Sequence, residues 1–153
     1  MMGQWMLPCV YAFLASVGYG LKFEIRSKNL WYAAAGGMLG WFVYLLFGGI
    51  FANDVMQYFI AALAISFYSE VIAIIRKAPV TVFLVVSIIP LVPGGTIFYT
   101  MESFLSGNNH QFWELGVYTF KVAGAIAMGI FSSSSVIRFI RYNRIGRGKN
   151  KNI

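Results

Sequence analysis

Apolar residues run along this chain in five long stretches separated by short polar turns, and the fourth is interrupted halfway by Pro90, Pro93, Gly94 and Gly95. The stretches cover 4–21, 30–51, 55–75, 79–105 and 112–140. Each is long enough to cross a hydrocarbon core of about 30 Å as a helix rising about 1.5 Å per residue. The pattern predicts an all-α integral membrane protein of one transmembrane domain, with about five transmembrane helices and a basic cytoplasmic tail over 141–153. Proline lacks an amide donor and clashes with the preceding turn, and glycine loosens the backbone, so the hydrogen-bond ladder must open over 90–96. Inside a bilayer an open ladder is tolerated only against protein or a water-filled cavity. The break therefore reads either as the discontinuous helix of a transport site or as a structural kink.

Basic residues orient the chain. Lys22, Arg26 and Lys28 follow the first stretch, Arg76 and Lys77 the third, and Arg138, Arg141, Arg144, Arg147, Lys149 and Lys151 the end of the fifth, leaving only Lys121 of the twelve elsewhere. The turns on the opposite side, 52–54 and 106–111, contain no Lys or Arg. Cytoplasmic loops retain positive charge, so this asymmetry predicts a multi-pass protein of the cell (inner or plasma) membrane with its N-terminus outside and its C-terminus inside. The net charge of +7 is then a topology signal and a surface for anionic lipid, and it gives no reason to expect nucleic acid. The composition agrees: 59% hydrophobic, 11% charged and a mean hydropathy of +0.70. The first ten residues carry no basic n-region, which predicts that the first stretch remains as a span. Cys9 is the only cysteine and reads as a buried apolar side chain.

Small residues recur at helical spacing, Ala12, Ser16 and Gly20 on the first stretch and Gly36 and Gly40 on the second. Such spacing lets helix backbones approach closely, against this chain or a partner.

Ionisable groups inside the bilayer are costly and need a partner, a wet cavity or a function. On the fifth stretch Glu114, Tyr118, Lys121, Ala125, Ser132 and Ser135 form one stripe at helical spacing. Lys121 lies roughly 13 Å below the outer boundary and the Gly94-Gly95 break roughly 15 Å, at about 1.5 Å per residue. Two readings stay open: a lysine paired with Glu114, or a cation level with the break that joins the amides near Thr96 in binding a carboxylate. Glu70, beside Ser66 and Ser69, either carries a proton or pairs with Lys77. The candidate substrate-binding residues are thus Pro90, Pro93, Gly94, Gly95, Thr96 and Lys121, and the proton-coupling candidates Glu70 and Glu114. His110 is the only histidine, and no metal-ligand spacing, phosphate loop or nucleophile with a base occurs, so neither enzymatic activity nor a metal or cofactor is expected.

The segment Lys77-Ala78-Pro79-Val80-Thr81-Val82-Phe83, followed by Ile88-Ile89-Pro90-Leu91-Val92-Pro93-Gly94-Gly95 and Phe98-Tyr99-Thr100-Met101, resembles the signature of the threonine/serine exporter family. The likeness extends more loosely over 11–130, through Gly36, Gly37, Gly40 and Trp41 and through Ser69-Glu70. It is to the small, membrane-only subunit of the family's split form. What the resemblance implies is export of serine, threonine or a short dicarboxylate such as succinate, beside a larger subunit with a cytoplasmic domain and five spans of its own. Pro79, Pro90, Pro93, Gly94, Tyr99 and Thr100 match its motif; Lys121 lies outside it. The function expected is that of the small subunit of a two-component secondary exporter, driven by the proton gradient and moving small carboxylate-bearing metabolites out of the cell. A homo-oligomer in place of the larger subunit, a non-transporting assembly or gating subunit, and a channel are the alternatives.

Overall fold

The computed structural model describes residues 2–25, 27–49 and 53–149. Six α-helices follow one another: α1 (Met2–Lys22), α2 (Ser27–Gly48), α3 (Asp54–Arg76), α4 (Val80–Ile88), α5 (Gly94–Leu105) and α6 (Asn109–Lys149). A 3-10 turn, Ile89–Leu91, closes α4. Among the described residues there is no strand. Of the expected tail, the backbone to Lys149 continues α6, while 150–153 lie outside the described residues, as do Arg26 and the predicted stretch end at Phe51.

Local chemistry sets the boundaries. Asn53 caps α3 by accepting the Val55 amide at 3.3 Å. The helix closes on Lys77, whose φ of 53° places it in the left-handed region, with its amide returning to the Ala73 carbonyl. Pro79 then begins the next element where no amide is needed. The hairpin between α5 and α6 turns on Gly107 at φ 74°, and Asn108 Oδ1 accepts the Gln111 amide at 3.3 Å.

Among the described residues, three helices are by length and composition sufficient to cross a membrane: Lys28–Gly48, Asp54–Arg76 and Asn109–Phe139. The pair Val80–Leu91 and Gly94–Leu105, bent by 57°, makes a fourth if counted as one span, and Met6–Lys22 is apolar but shorter.

The core forms where small side chains admit close contact. α2 lies against α1, α3 and α4, and α3 lies against α2, α4 and α6. Ala12, Ser16 and Gly20 face into this chain. A Cβ at Gly36 would collide with Ser87 Oγ, whose hydroxyl donates to the Ala33 carbonyl at 2.8 Å and ties α4 to α2. On the other side of α3, a Cβ at Gly129 would come within 2.7 Å of the Phe59 carbonyl oxygen and 3.0 Å of the Leu63 nitrogen. That backbone-to-backbone seam is continued by Ser66 Oγ, which donates to the Ile130 carbonyl at 3.5 Å. α3 and α6 run parallel, since Tyr118 neighbours Tyr58 and Ile130 neighbours Ser66. α5 runs back along α6, with Phe104 and Phe112 rings 5.3 Å apart, and among the described residues it packs against α6 alone. At the end where α1 stops, α2 starts and α3 stops, Arg76 Nε donates to Asn29 Oδ1 at 3.1 Å and the guanidinium lies 5.1 Å over the Tyr32 ring.

Candidate functional site

The break is built from backbone chemistry. Val92 N–H bonds to the Ile89 carbonyl at 3.1 Å and Gly94 N–H to the Val92 carbonyl at 2.7 Å; the α-helical ladder resumes only at Ile97 N–H, which meets the Pro93 carbonyl at 3.1 Å. Between them, the amides of Gly95 and Thr96 find no acceptor among the described residues, and Pro93 at the N-cap offers no side-chain bond. These are the orphan donors of a helix start, carrying its partial positive charge. Gly94 and Gly95 are exposed and Thr96 is half-buried, and a Cβ on either glycine would meet nothing within 4 Å.

The break stands at the middle of the bundle. Pro90 lies beside Gly37, halfway along α2, and Leu91 is buried in the core shared with Ala61, Ala62 and Ile65 of α3. Beyond it, Gly94 opens onto a groove of about 670 Å³ between α5 and α6 whose α6 wall includes Gly116, Thr119 and Phe120. The groove is polar only at hydroxyls already in use: Thr100 Oγ1 donates to the Thr96 carbonyl at 2.7 Å and Thr119 Oγ1 to the Leu115 carbonyl at 2.8 Å.

Lys121 occupies the turn of α6 next to this groove but lines a different concavity, of about 750 Å³, with His110, Trp113, Glu114 and Tyr118. The structure thus brings the turn that carries Lys121 level with the break and turns its side chain elsewhere. Glu114 sits 3.9 Å from His110 Nδ1, both side chains well exposed, and makes no ion pair with Lys121. Tyr118, from the same stripe, reaches Asp54 and Tyr58 at the start of α3. The face of α6 that packs inward is instead Val122, Ala125, Ile126 and Ser133.

Glu70 is buried on α3 among Ser66 and Ser69, and Ser133 Oγ of α6 is buried without a partner.

Two polar groups beside the break did not stand out in the sequence. Ser16 Oγ and Trp41 Nε1 are both buried without a hydrogen-bond partner, Ser16 against Gly37 and Trp41 in a cavity that Pro90 also lines. The small-residue spacing on α1 marked Ser16 as a packing site only, and Trp41 entered only through the family resemblance.

Apolar helices of membrane-crossing length, together with a bent helix pair, are compatible with a membrane transport protein. Residues 8–136 match the family described as Threonine/Serine exporter, ThrE, and the chain belongs to that family. No curated protein and no solved structure matches it.

Proposed function

We propose that the chain is the small, five-span subunit of a two-component secondary exporter that moves serine, threonine or a short dicarboxylate such as succinate out of the cell. The carrying observation is the pair of unpaired amides at Gly95 and Thr96, at the exposed start of α5. Unsatisfied backbone donors cannot face hydrocarbon without a cost of several kcal/mol, so water, substrate or a partner must cover them. A carboxylate is the ligand their partial positive charge favours. Pro90 and Pro93 hold the ladder open, Gly94 and Gly95 keep the approach clear, and Thr96 supplies one of the two amides. Lys121 adds a positive charge at the same level from the neighbouring concavity, steering the anion rather than pairing with Glu114.

In this reading α1 is the first span and α4 with α5 the fourth, the N-terminus is outside and the basic tail inside. The 57° bend and the lone packing of α5 on α6 support a half-transporter whose remaining wall comes from a larger subunit. Glu70, buried beside hydroxyls, carries the coupling proton in preference to the exposed Glu114.

The test is reconstitution. In proteoliposomes with the larger subunit, an inward-acid gradient should drive labelled threonine, serine or succinate; the chain alone should move them poorly. Gradient-coupled transport by the chain alone, with homodimers excluded by cross-linking, would refute the two-component reading. Gradient-independent conductance would establish the channel instead.

A further inference from the structure

We propose that the junction of α2 and α3 at the basic end of the bundle holds the phosphate of an anionic lipid on the terminal nitrogens of Arg76. The inference rests on the chain crossing a bilayer and not on what it exports. Arg76 is half-buried in the last turn of α3. Its Nε donates to Asn29 Oδ1 at 3.1 Å and its guanidinium lies 5.1 Å over the Tyr32 ring, so two residues of α2 fix the direction of the group. Further into the bundle, Tyr68 Oη donates to the Tyr32 carbonyl at 2.9 Å and holds the same two helices together.

Most of the guanidinium is left unused. Asn29 takes the Nε hydrogen, and among the described residues neither terminal nitrogen meets an acceptor and no carboxylate pairs with the charge. Neither nitrogen is shut off from the surface. The side chains around this end place the group at the edge of the hydrocarbon: Leu21, Trp31, Ile74 and Ile75 are exposed, and tryptophan and tyrosine collect where acyl chains give way to headgroups. The two non-bridging oxygens of a phosphate match the fork of a guanidinium, a fit that a lysine ammonium does not offer.

Charge decides which lipid. Ile25 and Ala78 pack against the same core of Ala33, Ala73 and Phe83, which brings the turns after α1 and α3 together. Besides Arg76 those turns carry Lys22, Lys28 and Lys77, with Glu24 as their one described acid. Lys28 stands one helical turn before Tyr32, on the face of α2 that the guanidinium covers. A choline or ethanolamine headgroup brings its own cation into these surroundings and is disfavoured, whereas a glycerol headgroup leaves the phosphate charge uncompensated. Acyl chains lying along the exposed apolar side chains give the lipid an advantage over inorganic phosphate.

The test titrates the full chain, in an uncharged detergent, with dioleoylphosphatidylglycerol and dioleoylphosphatidylcholine and reads bound lipid by native mass spectrometry. Wild type should prefer phosphatidylglycerol. Arg76→Gln should weaken that binding by about tenfold, the worth of one charge-assisted hydrogen bond. Asn29→Ala changes no charge and should still weaken it by about threefold, because the lipid must then order a long side chain that Asn29 had held. Arg138→Gln removes the same charge from α6, which does not pack on α2, and should leave binding nearly unchanged. Equal losses in Arg76→Gln and Arg138→Gln would reduce the effect to diffuse attraction and overturn the site, as would wild-type binding in both Arg76→Gln and Asn29→Ala. Displacement of the lipid by inorganic phosphate at matching concentration would overturn the lipid as occupant. Thermal midpoints without added lipid show which variants fold; where Arg76→Gln does not, Arg76→Lys keeps the charge and loses the fork, and undiminished binding in it overturns the proposal. None of these outcomes bears on the exporter reading.

Discussion

Replacing Gly95 with leucine separates folding from transport. The position is the second residue of α5, in ordinary helical conformation, and a Cβ there meets nothing within 4 Å. Leucine is the better helix former by up to about 0.8 kcal/mol, so the folded protein loses nothing by the change. The side chain then occupies the open face over the Gly95 and Thr96 amides and keeps a carboxylate away. A charge-assisted hydrogen bond contributes about 1.5–3 kcal/mol, so forfeiting two costs at least about 3 kcal/mol, a loss above a hundredfold in affinity. Gly129→Leu is the opposite control. Its Cβ would lie 2.7 Å from the Phe59 carbonyl oxygen and 3.0 Å from the Leu63 nitrogen, backbone atoms that cannot swing aside. Separating α3 from α6 by that much costs about 1–3 kcal/mol or more. Thermal unfolding of the protein in nanodiscs, followed by size-exclusion chromatography, should show Gly95→Leu melting with wild type and Gly129→Leu melting lower. Export of a carboxylate substrate should be abolished in Gly95→Leu, with Gly95→Ala intermediate. Wild-type export by Gly95→Leu would show that the amide face takes no part and would reduce the break to a kink.

Three further outcomes are expected. In a Cys9→Ala background, Asn108→Cys should label with an impermeant maleimide in intact cells and Ala78→Cys only after permeabilisation; the reverse pattern would invert the topology. Lys121→Met should lower the apparent affinity for anionic substrate, and adding Glu114→Gln should not restore it, because Glu114 lies beside His110 at the surface; a full rescue would make Lys121 a structural counter-ion. Glu70→Gln should abolish gradient-driven accumulation while sparing substrate exchange at equal pH on both sides, and loss of both activities alike would remove Glu70 from the coupling step.

The local geometry over 90–96 could be read from the sequence because its physics is local. Pro90 and Pro93 lack amide hydrogens wherever they stand, and the structure shows no more than a 3-10 turn and a bend between α4 and α5. The level of Lys121 was likewise a matter of counting residues at a fixed rise. Its direction was not. The stripe from Glu114 to Ser135 took polar residues as the inward face of α6, but only Ala125 of that stripe is buried. In a bilayer, helices make contact where backbones can approach closely, and on α6 that seam against α3 runs through Gly129. That rotation carried Lys121 away from the break. The cavity at Trp41 was hidden for a different reason: it exists only because α1 and α2 meet the 3-10 turn, a tertiary coincidence that no spacing within one helix encodes.

The position of α5 bears on what completes the protein. Its one neighbour is α6, and Ile97, Phe98, Met101, Phe104 and Leu105 are exposed along it. Lipid covers such side chains at no cost, so exposed apolar surface on this helix is not by itself evidence for a partner. The amides at its start are another matter. Two donors facing hydrocarbon would cost several kcal/mol, comparable with the whole net stability of an ordinary domain. Nothing else in the described chain reaches them: α1 to α4 touch the 3-10 turn or one another, and none of them packs on α5. Closing the open side with water alone would require a wet cavity walled against lipid, and among the described residues only α6 stands beside α5. On the proposed two-component reading, the side opposite α6 is where the larger subunit would supply that wall.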